Sequence, residues 1–211
     1  MVQARRAFLE QGFYAFLQRA LSNIISERKP NVLIDLGCGE GFYTHAIADK
    51  IEAQVYGVDI SKSAVKYAAK RYPQCHFSVA SISQAPFKSD TADVLLSVFA
   101  PLFEQELARL AAPNATLVVA SPGPWHLKEL KEYIYADVAK HTEIDTPSGF
   151  IKADQKLITE QVTLNFSDIK NLIMMTPFAW KFRPEHWQTL EEKGAQSVTL
   201  SFYITEFSKA D

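Results

Sequence analysis

A glycine-rich turn directly after an apolar run, within residues 32–43, constrains the fold of this chain most strongly. Residues 32–36 are apolar apart from Asp35, and such a run is typical of a buried central strand in a parallel sheet. Three glycines follow at alternate positions: Gly37, Gly39 and Gly41. Glycines allow the backbone to turn sharply and to approach a ligand closely, because no Cβ is in the way. The helix expected after the turn directs its unpaired N–H groups towards the same ligand.

The spacing of these glycines differs from that of a dinucleotide-binding fingerprint. That fingerprint is G-x-G-x-x-G, whereas this turn reads G-x-G-x-G and has Phe42 where the third dinucleotide glycine would stand. The turn also carries Asp35 and Glu40, and carboxylates disfavour a pyrophosphate. Acidic groups suit a ligand with cationic centres, such as the sulfonium and ammonium groups of S-adenosylmethionine. The sequence therefore predicts S-adenosylmethionine as the cofactor, and Phe42 argues against a nicotinamide enzyme.

A second apolar run, residues 54–58, ends in Asp59, about 20 residues after the glycine turn. In folds of this kind a carboxylate at this spacing accepts hydrogen bonds from the ribose hydroxyls. We predict that role for Asp59, with an acid in a surface turn as the alternative. Two interpretations stay open for Asp35 and Glu40, which either contact the cofactor or make structural bonds within the turn.

The rest of the chain alternates between strand and helix patterns with short connections. Further strands are predicted over residues 75–79, 92–99, 115–120, 161–166 and 196–207. Helices are predicted over residues 2–28, 64–71, 104–111, 125–139, 167–174 and 184–193, and a loop or flap over residues 141–158. This alternation predicts an α/β fold with a mostly parallel seven-stranded sheet, an antiparallel edge strand and helices on both faces. We treat all 211 residues as one domain, with an N-terminal helix (1–29), a cofactor-binding core (30–140) and a C-terminal part (141–211).

The composition is that of a globular protein, with 47% hydrophobic and 22% charged residues. The net charge of −2 gives no overall indication of a polyanionic partner, although residues 2–29 carry a local basic excess. The longest apolar run, residues 92–103, is shorter than the roughly 20 residues that span a bilayer. We therefore expect a cytoplasmic protein outside the membrane. Cys38 and Cys75 are expected to be reduced thiols, and without a four-ligand cysteine pattern we expect no metal.

Several stretches resemble the bacterial 23S rRNA guanine-N1 methyltransferases of the RlmA type, a class I S-adenosylmethionine-dependent family with a Rossmann-like fold. They read QARRAFL (3–9), DLGCGEGFYTH (35–45), AKRYP (69–73), SPGPWHL (121–127) and MTPFAW (175–180). The similar stretches extend from Gln3 to about Leu190, which is nearly the whole chain. The resemblance implies methyl transfer to N1 of a guanine in a 23S rRNA hairpin loop, with S-adenosyl-L-homocysteine as the product.

The resemblance also implies roles for individual residues. Tyr14 matches a tyrosine that contacts the cofactor in this family, and His126, after the fifth strand, matches a histidine that does the same. Taken alone, Tyr14 would fill the core, and His126 would begin a helix as a capped or solvent-facing residue. Ser81 follows the third strand, where such sheets often hold the adenine. The predicted cofactor-binding residues are Tyr14, Asp35, Gly37, Gly39, Glu40, Gly41, Asp59, Ser81 and His126.

Methylation at guanine N1 requires a loop base or a base flipped out and stacked on aromatic side chains. Phe99 follows the fourth strand, where related enzymes hold the target base. Trp125 and Trp180 are further stacking candidates, although core packing is the expected role of Trp180. His126 is the candidate general base because a neutral imidazole is available near pH 7, with water or a phosphate as alternatives. Phe99 and His126 are therefore the predicted catalytic residues.

The sequence departs from the family in one respect, because the N-terminal four-cysteine zinc module and its basic linker are not in it. Whether Met1 is the natural start stays open, and the rRNA acceptor depends on the answer. A small-molecule methyltransferase with residues 141–158 as a lid is the alternative. A third hypothesis is a cofactor-binding module without turnover of its own. The expected partners are 23S rRNA and a second copy of the chain in a homodimer.

Overall fold

Seven strands and eight α-helices are present in the computed structural model, which describes residues 2–210. The strands are β1 (Val32–Leu36), β2 (Gln54–Asp59), β3 (His76–Val79), β4 (Ala92–Val98), β5 (Ala111–Pro122), β6 (Phe150–Leu164) and β7 (Gln196–Lys209). The helices are α1 (Val2–Glu10), α2 (Ala15–Arg28), α3 (Phe42–Ala48), α4 (Lys62–Arg71), α5 (Glu104–Leu110), α6 (Lys128–Lys131), α7 (Phe166–Met174) and α8 (Pro184–Lys193), and a 3₁₀ turn covers Ala179–Lys181.

The strands form one sheet in the order β3-β2-β1-β4-β5-β7-β6. Parallel pairing joins β1 to β2 and β4, β2 to β3, and β4 to β5. The sheet is mostly parallel with antiparallel edge strands, so the predicted Rossmann-like α/β class is confirmed. The chain order reverses between β1 and β4, and ligands of such sheets bind at the carboxyl ends of the strands beside this reversal. The glycine turn follows β1 and therefore lies at that point.

The chain divides into two compact units, which we describe separately. The glycine-turn unit contains residues 16–121, 143–156 and 203–210 of the described chain, and the aromatic unit contains residues 2–15, 122–142 and 157–202. The prediction of a single domain stays a prediction. Aliphatic side chains from β1, β4 and β5 build the main core of the glycine-turn unit, and Leu33, Leu95 and Leu117 have no exposed surface. In the aromatic unit α1 packs against α7.

Two predicted helices differ from the structure. The helix expected over residues 2–28 is two helices, α1 and α2, separated by a turn in which Gly12 has a φ of +83°. The apolar spacing continues across that turn, so periodicity alone did not indicate the break. The helix expected over residues 125–139 is wrong, because α6 begins after Leu127 at a φ of +58° and ends at Lys131.

The predicted flap over residues 141–158 is wrong in its second half, because β6 begins at Phe150 and extends to Leu164. The strand expected over residues 161–166 is therefore only the end of a strand of 15 residues. Most side chains of β6 are exposed, and its apolar and polar residues do not alternate, so no pattern in the sequence predicts the strand. The following helix, α7, is capped by Asn165, whose side chain accepts from the N–H of Asp168.

Candidate functional site

The glycine turn is tied to the end of β2 by backbone hydrogen bonds. The N–H groups of Gly37 and Cys38 donate to the carbonyl oxygen of Val58 at 2.8 and 3.1 Å. Gly37 has a φ of +85°, and a Cβ there would lie 2.6 Å from the Cβ of Ala100, so only glycine fits. A Cβ on Gly39, by contrast, would meet no atom within 4 Å. The turn is thus packed on one side and open at Gly39, where a ligand can approach the backbone.

The carboxylate of Asp59 connects the glycine turn to the helix after β2. Its Oδ2 accepts from the N–H of Gly39 at 2.9 Å, and its Oδ1 accepts from the N–H of Ser61 at 2.8 Å. Ser61 in turn caps α4 by accepting from the N–H of Ala64. Each carboxylate oxygen can accept more than one hydrogen bond. Asp59 therefore holds the turn, and its oxygens keep acceptor capacity for hydroxyl groups of a ligand.

Asp35 makes a structural bond within the same turn. Its Oδ2 accepts from the Thr44 hydroxyl of α3 at 2.5 Å, and only 2% of the residue is exposed. Glu40 is half-buried in the turn. Burial, with the nearby Asp35 carboxylate, raises the pKa of the Cys38 thiol, so that thiol is neutral at pH 7 and unreactive. Cys38 and Cys75 are both free, and burial raises the pKa of Cys75 to about 11.

The segment after β4 lies against the glycine turn. Phe99 has a φ of +57°, which costs a residue with a Cβ about 1–2 kcal/mol, and its N–H donates to the carbonyl oxygen of Ala120 at 3.1 Å. Backbone strain of this kind concentrates at functional sites. The next residue, Ala100, is the one that Gly37 packs against. The structure thus brings the glycine turn, Asp59 and Phe99 together at the carboxyl ends of the central strands.

Three further residues follow strand ends of the glycine-turn unit. Ser81, after β3, is exposed and its hydroxyl lies 2.8 Å from that of Ser83. The other two residues, Ile60 and Ser121, were not predicted from the sequence as site residues. Ile60, next to Asp59, is 78% exposed, and the Ser121 hydroxyl, at the end of β5, is buried with no hydrogen-bond partner among the described residues. An apolar residue directly after the predicted ribose acid is a signal that could have identified Ile60, whereas nothing local indicated the unsatisfied hydroxyl.

In the aromatic unit, Tyr14, His126 and Phe202 form a buried cluster. The ring centroids of Tyr14 and Phe202 are 5.0 Å apart, those of His126 and Phe202 are 4.7 Å apart, and those of Tyr14 and His126 are 6.4 Å apart. The exposed fractions of Tyr14 and His126 are 2% and 7%. The solvent-facing alternative for His126 is therefore wrong, and the structure brings together the two residues that were predicted from the resemblance.

The hydrogen bonds of His126 fix which ring nitrogen carries the proton. Nδ1 accepts from the backbone N–H of Ser201 at 3.2 Å, and since a backbone N–H can only donate, the neutral ring carries its hydrogen on Nε2. Burial lowers the pKa of His126 to about 3, and the positive charges of Lys131 and His141 add to this effect. The Nζ of Lys131 donates to the His126 carbonyl oxygen at 2.8 Å. His126 is consequently a neutral hydrogen-bond donor at pH 7 and a weak proton acceptor.

The two tryptophans predicted to stack on a base are both on the surface of the aromatic unit. Trp125 is 38% exposed and Trp180 is 79% exposed. The expectation that Trp180 packs in the core is wrong, because Phe178 and Phe182, on either side of the 3₁₀ turn, are the buried residues of that segment. Trp180 lies between them and faces solvent.

The sheet order, the glycine turn after β1 and the acid that ends β2 are those of Rossmann-like methyltransferases. A family model described as a methyltransferase domain matches residues 27–193. The chain belongs to this methyltransferase family and is a methyltransferase that uses S-adenosylmethionine as its methyl donor.

Two curated relatives and one solved structure illustrate the similarity. A Streptomyces fradiae protein named 23S rRNA (guanine(748)-N(1))-methyltransferase is 29% identical over 97% of this chain and 78% of its own length. A Bacillus subtilis protein, provisionally named 23S rRNA (guanine-N(1)-)-methyltransferase YxjB, is 29% identical over 92% of this chain and 74% of its own length. The YcgJ protein from Bacillus subtilis superposes with a TM-score of 0.63 at 13% identity, over 90% of this chain and 98% of that one.

The residues of the glycine-turn unit fit S-adenosylmethionine. The turn is open at Gly39, the Asp59 carboxylate can accept from ribose hydroxyls, and the unsatisfied Ser121 hydroxyl marks a polar position at the same edge of the sheet. Among residues 2–210, no group of three or more His, Cys, Asp or Glu side chains is arranged to hold a metal ion. No helix of this part of the chain has the length and apolar character that crossing a bilayer requires.

Proposed function

We propose that this chain methylates N1 of a guanine in a hairpin loop of 23S rRNA. The observation that carries the proposal is the similarity over 92% and 97% of the chain to two proteins named as 23S rRNA guanine-N1 methyltransferases. The exposed Trp125 and Trp180, together with the strained Phe99, supply aromatic surfaces that an unpaired base can stack on. The homodimer and the cytoplasmic location expected from the sequence stay predictions.

The geometry of the glycine-turn unit supports the cofactor roles that we propose for its residues. Bound S-adenosylmethionine supplies an electrophilic methyl group on a positively charged sulfur. Asp59 accepts from the ribose hydroxyls, the backbone at Gly39 admits the ligand, and the exposed Ile60 covers one face of the adenine. Ser81 is assigned to the adenine edge. The resemblance adds contacts with Tyr14 and His126, each of which is testable by its own substitution.

Phe99 positions the acceptor base in this proposal. Its left-handed backbone is fixed by the bond to Ala120 and by the close packing of Ala100 on Gly37, so its ring is held by β4 and β5. Positioning of two reactants supplies about 7–11 kcal/mol of a barrier, which is the largest contribution that this chain can make to a displacement.

Guanine N1 carries a proton at neutral pH, and this proton must leave during methyl transfer. His126 is a poor acceptor for it, because a group with a pKa of about 3 is a weak base and its Nε2 already carries a hydrogen. We therefore assign proton removal to water or to a phosphate of the RNA. His126 contributes a donated hydrogen bond instead.

Incubation of the chain with tritiated S-adenosylmethionine and 23S rRNA that lacks the modification tests the proposal. Reverse transcription then locates the product, because N1-methylguanine cannot pair and stops the transcriptase. The expected result is label in RNA and a stop at one hairpin guanine, both lost in Phe99→Ala, which should still bind the cofactor.

A second arm fuses an RlmA-type zinc module and basic linker before Met1. Absence of label in both arms, with cofactor binding intact, would refute the rRNA acceptor. Label in small-molecule acceptors would then favour the small-molecule alternative, and its absence would favour a binding module without turnover.

A further inference from the structure

Lysine side chains lie over aromatic rings at several points of the aromatic unit, and two of these rings, those of Trp125 and Trp180, are exposed. The Nζ of Lys128 is 5.2 Å and that of Lys140 is 4.9 Å from the centroid of the Trp125 ring. The Nζ of Lys181 is 4.2 Å from the centroid of Tyr135 and 5.4 Å from that of Trp180. We call these six residues the Lys–aromatic surface: Trp125, Lys128, Tyr135, Lys140, Trp180 and Lys181.

The Lys–aromatic surface has two parts, one around Trp125 and one around Lys181, and they lie next to each other. The helical turns that begin with α6 continue to Tyr135, whose N–H donates to the Lys131 carbonyl oxygen at 2.9 Å. Lys131 belongs to this run, and its Nζ lies 5.9 Å from the centroid of Phe178, two residues before Trp180. The segment after His126 and the loop that carries Trp180 are therefore packed side by side.

The charges on this surface are incompletely neutralised. Lys128 is 3.6 Å from the carboxylate of Glu132, and both side chains are about half exposed. Within residues 2–210, Lys140 and Lys181 form no ion pair with a carboxylate. Ammonium groups without carboxylate partners attract phosphates, and a tryptophan that is 79% exposed offers a ring face for stacking.

Resting on the proposed function, we infer that the Lys–aromatic surface binds unpaired nucleotides of the RNA loop, outside the target base. Lysines beside aromatic rings are the combination that single-stranded RNA binds, since phosphates meet the ammonium groups and bases stack on the rings. An exposed cation–π contact contributes about 2- to 5-fold to an equilibrium constant, whereas a base–aromatic stack contributes about 5- to 150-fold. A stacked base therefore contributes more than the lysine contact that it displaces, and the displaced ammonium group can then bind a phosphate.

The test measures binding of a 23S rRNA hairpin with an unpaired, guanine-containing loop to the whole chain. Trp180→Ala is expected to weaken binding about 5- to 150-fold, because one stacked base is lost. The double variant Lys140→Gln, Lys181→Gln is expected to reduce the slope of log K against log salt by about 1.4 between about 50 and about 200 mM salt.

Matched controls come from the glycine-turn unit. Ile151→Ala removes an apolar side chain that is 62% exposed, and Lys66→Gln, Lys70→Gln removes two exposed lysines of α4. These variants should bind the hairpin like the parent chain. A loss in the controls equal to that in the test variants would overturn the inference, because binding would then depend on net charge and not on this surface.

Fluorescence gives a readout that a merely structural role would not change. The chain has three tryptophans, so Trp125→Phe with Trp187→Phe leaves Trp180 as the only one. Addition of the hairpin should quench its emission, and a fully paired duplex should not. The parent chain could methylate 23S rRNA while the hairpin leaves the Trp180 emission unchanged and Trp180→Ala binds the hairpin like the parent chain. In that case the inference fails and the proposed function stands. If neither RNA binding nor methylation occurs, both fail.

Discussion

Replacement of Asp59 by asparagine tests the cofactor site most directly. The carboxylate already accepts from the N–H groups of Gly39 and Ser61, so the amide keeps one of these bonds and turns its NH₂ towards the other donor. A hydrogen bond to a charged acceptor contributes about 1.5–3 kcal/mol and one to a neutral acceptor about 0.5–1.5 kcal/mol. Replacing the charged acceptor of two ribose hydroxyls by a neutral one should therefore cost about 2–3 kcal/mol of binding free energy, which raises the Kd of S-adenosylmethionine about 30- to 150-fold.

The chain offers a matched control in Asp93. Its Oδ2 accepts from the N–H groups of Asn31 and Val32 at 2.8 and 2.9 Å, at the amino end of β1 and away from the predicted ligand edge. Asp93→Asn should lower the free energy of unfolding by less than Asp59→Asn does, because both N–H partners of Asp93 bind one oxygen, which the amide oxygen can replace. Isothermal titration with S-adenosylhomocysteine and S-adenosylmethionine measures the affinities, and urea unfolding measures the stabilities.

The two variants separate a ligand contact from an effect on the fold. Asp59→Asn should lose affinity for the cofactor, whereas Asp93→Asn should retain the affinity of the parent chain. If Asp59→Asn binds S-adenosylmethionine within about threefold of the parent chain, a ribose contact worth about 2–3 kcal/mol does not exist. If both variants lose affinity equally, the loss reflects the sheet and not the carboxylate at its edge.

Four further substitutions probe the turn, the buried histidine and the core. Gly37→Ala should cost about 2–5 kcal/mol in urea unfolding, because its φ is +85° and its Cβ would lie 2.6 Å from Ala100, whereas Gly39→Ala should cost only about 1–2 kcal/mol but weaken cofactor binding. The pKa of His126 is about 3 in the folded chain, and the unfolded chain binds its proton below about pH 6.5. The neutral, buried His126 therefore contributes fully to the free energy of unfolding above pH 6.5, and this contribution is lost on acidification at up to about 1.4 kcal/mol per pH unit. His126→Gln should remove this part of the pH dependence when urea unfolding is compared from pH 4.5 to 7. Glu106→Gln should lower stability by about 1–3 kcal/mol in urea unfolding and leave cofactor affinity unchanged, because this buried carboxylate accepts from the N–H of Ala85 and from the guanidinium of Arg109.

The parts of the molecule that could be predicted are those set by local constraints. The sharp turn through Gly37, Gly39 and Gly41 could be predicted because glycine permits the positive φ angles that these three residues have, and the position of Asp59 follows from the length of one strand-helix-strand unit. The parallel order of the central strands follows from the alternation of apolar strands and helices.

The parts that could not be predicted depend on residues far apart in the sequence. His126 is buried because Phe202 packs on its ring and the Ser201 N–H, 75 residues away, binds its Nδ1. Trp180 is exposed because of the direction in which a 3₁₀ turn presents its side chain. Its neighbours in the sequence are apolar, so the composition of the segment predicted a position in the core. Strand β6 carries polar side chains and is held by its neighbour in the sheet, a contact that no pattern within its own sequence records.

The hydrogen bonds of His126 also determine what kind of chemistry the residue can take part in. Because the Ser201 N–H occupies Nδ1, the neutral imidazole has a donor and no vacant acceptor at its second nitrogen, so it cannot accept the N1 proton of the proposed guanine substrate. The Lys131 ammonium and His141 further disfavour a second proton on the ring. In the proposed reaction, removal of the N1 proton then falls to water or phosphate, and the contribution expected of the chain is to hold its reactants in place. The rigid glycine turn and the strained backbone of Phe99 are the features that suit that task.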